Sequence, residues 1–408
     1  RIHGRTVVDS IEEAHEEDLR VNPSAILTTA QCLALATSAL AAATPISDSK
    51  CTCYLTNGTE PAFYKAHRFF DFRDLVDYAS SNGPDVLPSI QDTSSAPPTS
   101  SFFTSDIWTS TWQTQSWNNS KPGKLNGDAT ILMVNSPNNI YIQAADKHDI
   151  VSPPSSTYLT LRTSRQRGFQ SSSEFQAVSS AYHYLSLRML ARTTGSPGAV
   201  SAIFTYRDAK TLPEIQEADM EIVTRGPKNR IQYTNQPSYT TDGSGGGDVI
   251  ARASRNATLP HGKTWSDWAV YRLDWTPQQT VWYIDGQQVA SIAFQVPRDP
   301  AGIHVNSWSD GGSWSGNMSI GDQTSLQIQW IEMLYNTTEK TTERRDEDAI
   351  GGDDQGCRVV CSIDEAPQVG AAAKLWGEES SQAVTPVRGG MRALLLCWGV
   401  SLLWTQMV

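Results

Sequence analysis

Between residues 128 and 336 apolar positions recur every second residue in short bursts, broken by Gly, Pro, Asn and Asp. Successive side chains of a strand take opposite faces, so this alternation marks half-buried strands. The stretch "YHYLSLRMLAR" (182–192) places Leu185, Leu187 and Met189 on one face, and "LQIQWIEMLYN" (326–336) does the same with Leu326, Ile328 and Trp330. "AVSAIFTYRD" (199–208) is another β-rich run, and "ATILMVNSPNNIYIQA" holds two apolar runs around a Ser-Pro-Asn-Asn turn. In "TVWYIDGQQVASI" (280–292), Asp285-Gly286 separates two apolar runs, a strong hairpin signal. No long amphipathic helical pattern competes. Many short strands with turn punctuation predict an all-β sandwich or barrel.

One strand carries unusual chemistry. "IQEADMEIVT" (215–224) sets Glu217, Asp219 and Glu221 at alternate positions, with Ala218, Met220 and Ile222 on the opposite face. Three carboxyls this close cannot all ionise freely, and crowding leaves at least one protonated at mildly acidic pH. One neutral and one ionised carboxyl are what retaining glycoside hydrolysis requires. The outer two backbones stand roughly 13 Å apart on an ideal strand, whereas a retaining pair brings its carboxyls to about 5–5.5 Å. Two long Glu side chains on a twisted, concave strand can lean together over a shorter Asp. A solvated acidic edge is the alternative reading of the same residues.

The formal net charge of −11 argues against a nucleic-acid partner, whose phosphates require a basic surface. Thirteen Trp and thirteen Tyr are a heavy aromatic load, suited to a core and also to a cleft in which sugar rings stack. Residues 83–124 are rich in Ser, Thr, Pro and Gly and read as a long surface excursion; 337–356 is a charged insert without apolar period.

Both ends carry targeting patterns. Residues 1–24 form an acidic leader, expected to be absent from the mature protein, and 25–43 resemble a secretory signal. Residues 362–408 form a tail whose small residues Ser380 and Ser381, polar spacer and apolar end fit a GPI-attachment signal; packing on the domain is the alternative. Cys32 and Cys397 fall in these end segments, leaving Cys51, Cys53, Cys357 and Cys361. In a secreted chain these four are disulfide candidates tying the domain's ends together, with zinc ligation the lesser alternative and the connectivity open. Sequons at Asn57, Asn118, Asn256, Asn317 and Asn336 agree with secretion.

"EADME" resembles the E-x-D-x-E signature of glycoside hydrolase family 16, and the likeness extends through "HRFFDFRDL" (67–75), "IQYTNQPSY" (231–239), "WSDWAVYRLDWTP" (265–277) and "SWSDGGSWSGNM" (307–318) to secreted fungal members. The resemblance covers roughly residues 51–361 and implies a two-sheet antiparallel jelly roll of the concanavalin A-like lectin/glucanase type. Carried onto matching positions, it implies Glu217 as nucleophile, Asp219 as helper and Glu221 as acid/base, in the branch whose catalytic strand lacks a bulge. It further implies a β-1,3- or mixed β-1,3/1,4-glucan as substrate. A wall transglycosylase using the same residues and a non-catalytic glucan-binding wall protein are the alternatives.

Trp308, Trp314, Asp310 and Asn306 in the "NSWSDGGSW" stretch are candidate sugar contacts, as are Tyr233 and Asn235 on the run after the acidic strand. His304 reads as structural rather than as a ligand. No catalytic metal or cofactor is expected; a structural calcium occurs in some relatives, but the sequence gives it no position. The expected protein is a monomer, secreted or at the cell wall or surface, touching a membrane only through a lipid anchor.

Overall fold

A computed structural model describes residues 44–146, 155–240, 247–339 and 356–377. The leader 1–24, the apolar run 25–43, most of the 337–356 insert and the tail beyond Gly377 lie outside the described residues. Everything below belongs to the compact unit that starts at Thr44.

Two layers of strands face each other. One layer runs in the order Trp112–Thr114, Gln170–Ala177, Gly302–Trp308, Val200–Arg207, Gln216–Val223, Arg230–Gln236 and Ser254–Thr258, antiparallel throughout. The other is built around the long Gln323–Thr337 strand. Tyr182–Gly195 pairs along one side of it, while Thr157–Arg165 and then Ala66–Asp71 pair along the other. The Thr280–Ile284 and Gln287–Ile292 hairpin extends this layer through Ala269–Trp275. Its turn is Asp285-Gly286, both at positive φ, as a tight two-residue hairpin demands. Short parallel pairings at Ile142/Ala79 and Gln170/Met133 interrupt an otherwise antiparallel sandwich.

The core lies between the layers. Ala218, Met220 and Ile222 point into it from the acidic strand, meeting Leu185, Leu187 and Met189 from the opposite layer. The expected register of Leu326, Ile328 and Trp330 fails at its last member. Leu190 pairs with Trp330 but Ala191 with Ile328, so Gln329 is an extra residue. Such a bulge reverses the alternation beyond it. Ile331 and Met333 therefore continue the core after Leu326 and Ile328, and Trp330 takes the opposite face, buried near Phe69 with ring centroids 6.2 Å apart.

Two expectations about extent also change. The 83–124 excursion is not confined to the surface: Phe102, Phe103, Trp108 and Trp112 are buried in the main core. Trp108 and Trp112 each meet Phe175 edge-on at 5.1 Å, because burying large apolar rings outweighs the polar composition of their neighbours. The fold also runs past Cys361. Thr44–Ile46, Ala372–Gly377, Val359–Ser362, Cys53–Leu55 and Phe63–Tyr64 form a separate small sheet joining both ends of the described chain.

Disulfides Cys51–Cys361 and Cys53–Cys357 staple this sheet, which uses all four candidate cysteines and leaves none as a zinc thiolate. Arg188 pairs with Asp364 at 2.6 Å, and buried His67 lies between Asp48 and Glu332 at 3.0 Å from each. Burial opposes the charged imidazole, but the hydrogen bonds and charges of the two carboxylates outweigh it and push His67 up to about 9.

Asn57, Asn118, Asn256 and Asn317 are exposed. Asn336 is half-buried, its amide accepting from Lys65 N–H and donating to the carbonyl of Phe63.

Candidate active site

Glu217, Asp219 and Glu221 alternate along an extended, unbroken strand. Tyr206, Phe204 and Ala202 stand opposite them on one side, and Gln236, Thr234 and Gln232 on the other, with no register shift. The strand thus has no bulge, and the three carboxyls share the face turned away from the core. They line a cleft of about 500 Å³ together with Glu174, His304, Asn306, Trp308, Asp310 and Trp117. Small residues make the room: Ala202 faces Glu221 across one pairing, and Gly302 faces Tyr206 across the next.

The environment separates the proton affinities of the three acids. Burial raises Glu217 above the usual carboxylate range, and the charge of Glu174 adds to this; a hydrogen bond from Asp219 and the charge of His304 act against it. Asp219 is raised well above its usual range, by burial and then by the charges of Glu217 and Glu221 on either side. Gln236 donates to Asp219 Oδ2 at 3.3 Å. Burial lifts Glu221 to about 7, with the charge of Glu217 adding and a hydrogen bond from Trp314 subtracting. All three acids hold their protons more tightly than ordinary carboxyls, and the ionised form of Glu217 draws support from the Asp219 hydrogen bond and the His304 charge.

The candidate sugar contacts divide. Asn306, Trp308 and Asp310 reach the cleft, Asn306 one pairing away from Ala202. Trp314 donates its indole N–H to Glu221 Oε1 at 3.0 Å. Asp310 also shapes the loop, since its Oδ1 accepts from Gly312 N–H and the Ser315 hydroxyl, both at 2.9 Å. Tyr233 and Asn235 do not reach the cleft. They pair with Met220 and Ala218, so they share the core-facing parity of those residues. Tyr233 packs 5.3 Å from the Trp282 ring, and Asn235 donates to the carbonyl of Phe294 at 3.0 Å. Their neighbours Thr234 and Gln236 have the cleft-facing parity instead.

Several cleft residues escaped the sequence reading. Glu174 and Gln176 in "SSSEFQA", and Phe204 and Tyr206 in "SAIFTYR", alternate just as the carboxylates do. Period-2 parity could have grouped them within each strand, but strand adjacency is not written in any one strand. His304, expected to be structural, lines the cleft and hydrogen-bonds Glu174 through Nδ1 at 3.2 Å.

Residues 136–332 match the family model described as glycosyl hydrolases family 16. The chain is 26% identical to the beta-glucanase of Bacillus licheniformis over 136 residues, 33% of this chain and 51% of that protein. It is 27% identical to the beta-glucanase of Brevibacillus brevis over 161 residues, 38% of this chain and 56% of that protein. A xylanase/beta-glucanase of Ruminococcus flavefaciens is 24% identical over 164 residues, 40% of this chain and 19% of that protein. The chain spans about half the length of the first curated relatives it matches. Among solved structures, the Bacillus licheniformis beta-glucanase aligns with a TM-score of 0.41 at 20% identity, covering 56% of this chain and 92% of that one. The matched segment contains all three carboxylates and every long strand of the cleft layer. Through residues 136–332 this chain belongs to glycosyl hydrolases family 16.

Proposed function

We propose that the cleft hydrolyses internal bonds of a β-1,3- or mixed β-1,3/1,4-glucan with net retention at the anomeric carbon. Glu217 attacks that carbon as Glu221 gives its proton to the departing glycosidic oxygen, leaving a glycosyl ester on Glu217. Glu221, now ionised, takes a proton from water, whose oxygen displaces Glu217 and regenerates the site. Asp219, held neutral between the two, donates to Glu217 and keeps a third negative charge out of the cleft. The observation that carries this reading is the parity of one strand: three acids share one cleft, with Glu221 held protonated to about pH 7.

Trp308 and the 43% exposed Trp117 give the cleft apolar faces against which pyranose rings can stack. The names of the curated relatives favour β-glucan over other polymers. Two disulfides fit an oxidising compartment, so the proposed enzyme works outside the cytosol. Incubating the protein with laminarin, lichenan and chitin, beside Glu217→Gln, tests the assignment. Oligosaccharide release from one or both glucans, absent from the variant and from chitin, is the expected result. No glucan product between pH 4 and pH 7 would remove the proposal.

A further inference from the structure

Five carboxyl groups face the cleft, from Glu174, Glu217, Asp219, Glu221 and Asp310, and among the described lining residues His304 is the one basic side chain, with no Lys or Arg. Its ring is fixed on several sides. Phe204 stacks on it with centroids 5.1 Å apart and planes 19° from parallel, and Tyr206 meets it edge-on at 5.7 Å. Nδ1 is bonded to Glu174 Oε1 at 3.2 Å. Nε2 lies over Gly302, where even a methyl group would stand 3.3 Å away. Tyr206 lies between Gly302 and Glu217 in the register of the sheet, so the ring sits on the Glu217 side of the cleft. A histidine wanted only for packing would not need an acid partner on one nitrogen and a glycine closely under the other.

We propose that His304 is a positioning residue for the nucleophile: its imidazolium, fixed by Glu174, Phe204 and Tyr206, supplies the positive charge that keeps Glu217 ionised in a cleft otherwise lined with acids. The activity arm of its test rests on the glucanase reading; the titration arm does not. The charge of His304 favours the Glu217 carboxylate, while Glu174, the other group facing the ring, disfavours it. The charged form of Glu217 works likewise against the ionisation of Tyr206, whose phenol burial already holds neutral. Asp219, in line with His304 across Phe204, and Glu221 are both raised by burial and add no positive charge. Besides the hydrogen bond from Asp219, His304 is the one cation among the described lining residues that offsets the charge of Glu174.

The experiment is a ¹³C titration of the side-chain carboxyls, with Glu217 assigned by its loss in Glu217→Gln, repeated in His304→Gln and His304→Lys. Removing a facing positive charge should raise the Glu217 titration by about one pH unit in His304→Gln, and His304→Lys should bring it back. In kcat/KM on glucan, the acidic limb should move by the same amount in His304→Gln, with the alkaline limb fixed. Unchanged Glu217 titration in a folded His304→Gln would overturn the proposal, since a packing role lowers Tm without moving that limb. Should His304→Gln not fold, ¹⁵N shifts of the wild-type ring decide it: His304 protonated while Glu217 ionises supports the proposal, and a neutral ring over that range defeats it. If wild type cuts no glucan, the function falls and the carboxyl titration still judges His304.

Discussion

The indole N–H of Trp314 donates to Oε1 of Glu221 at 3.0 Å, joining a loop to the acidic strand 93 residues earlier in the chain. The bond favours the ionised acid and so opposes burial and the charge of Glu217, which together lift Glu221 to about 7. A general acid of a glycosidase must hold its proton at working pH and release it in the transition state. With Glu221 as the proposed acid, the tryptophan would set where on the pH axis that role ends.

Replacing Trp314 by Phe keeps the ring and removes the donor. The Glu221 proton is then held more tightly, and the alkaline limb of kcat/KM should rise by about one pH unit. A pH–rate profile on soluble glucan checks this. A downward shift would show that the indole acts on Glu221 by other means.

The two outer acids should separate by leaving group. Glu221→Gln loses proton donation, which costs about 10²–10⁴-fold on polymer, yet bond cleavage should recover on an aryl glucoside that departs without a proton. Glu217→Gln should be inactive on both. Initial rates on the two substrates give the comparison, and equal losses in Glu221→Gln would contradict its assignment.

The same carboxyl links activity to stability. Glu221's folded pKa of about 7 lies above its ordinary 4.5, so its contribution is full below 4.5 and is lost as pH rises through 7. Glu221→Gln escapes that loss. It should melt about 2 °C or more above wild type at pH 8, and the gap should close at pH 4. Thermal melts at both pH values suffice.

His67 shows the corresponding behaviour at the small sheet. Its folded pKa of about 9 lies above the ordinary 6.5, so the stability from the Asp48–His67–Glu332 cluster is whole below 6.5 and disappears as pH rises through 9. Wild type should be more stable than His67→Gln at pH 6, with the difference gone above pH 10. A difference that persists there would mean that the ring's packing, not its charge, matters.

Asn235 gives a control from the opposite face of the sheet. Its amide donates to the carbonyl of Phe294 in the core. Asn235→Ala should cost about 1–3 kcal/mol of stability, the price of an orphaned buried carbonyl, and leave KM for glucan unchanged. A raised KM in a fully folded variant would return Asn235 to the cleft.

The acidic strand was legible in the sequence because its information is local. Period-2 parity follows from backbone geometry alone, so Ala218 and Met220 had to be buried if Glu217, Asp219 and Glu221 shared a cleft. The Asp285-Gly286 hairpin was legible for the same reason, since two residues at positive φ leave few choices of residue. Parity also contains the error over Tyr233 and Asn235: their proximity to the acidic strand was readable, but the register that pairs them with Met220 and Ala218 was not. At Trp330 parity itself failed, because one inserted residue, Gln329, reverses every side chain after it.

Local residue pattern therefore determined which side chains share a strand face, and with it the acids of the cleft. Tertiary structure decided what those acids meet. The Glu174–His304 pair, the Trp314 bond to Glu221 and the burial of Trp108 in a Ser- and Pro-rich segment each join residues far apart in sequence. Proton affinity and burial depend on distances through space, and only the folded chain fixes those.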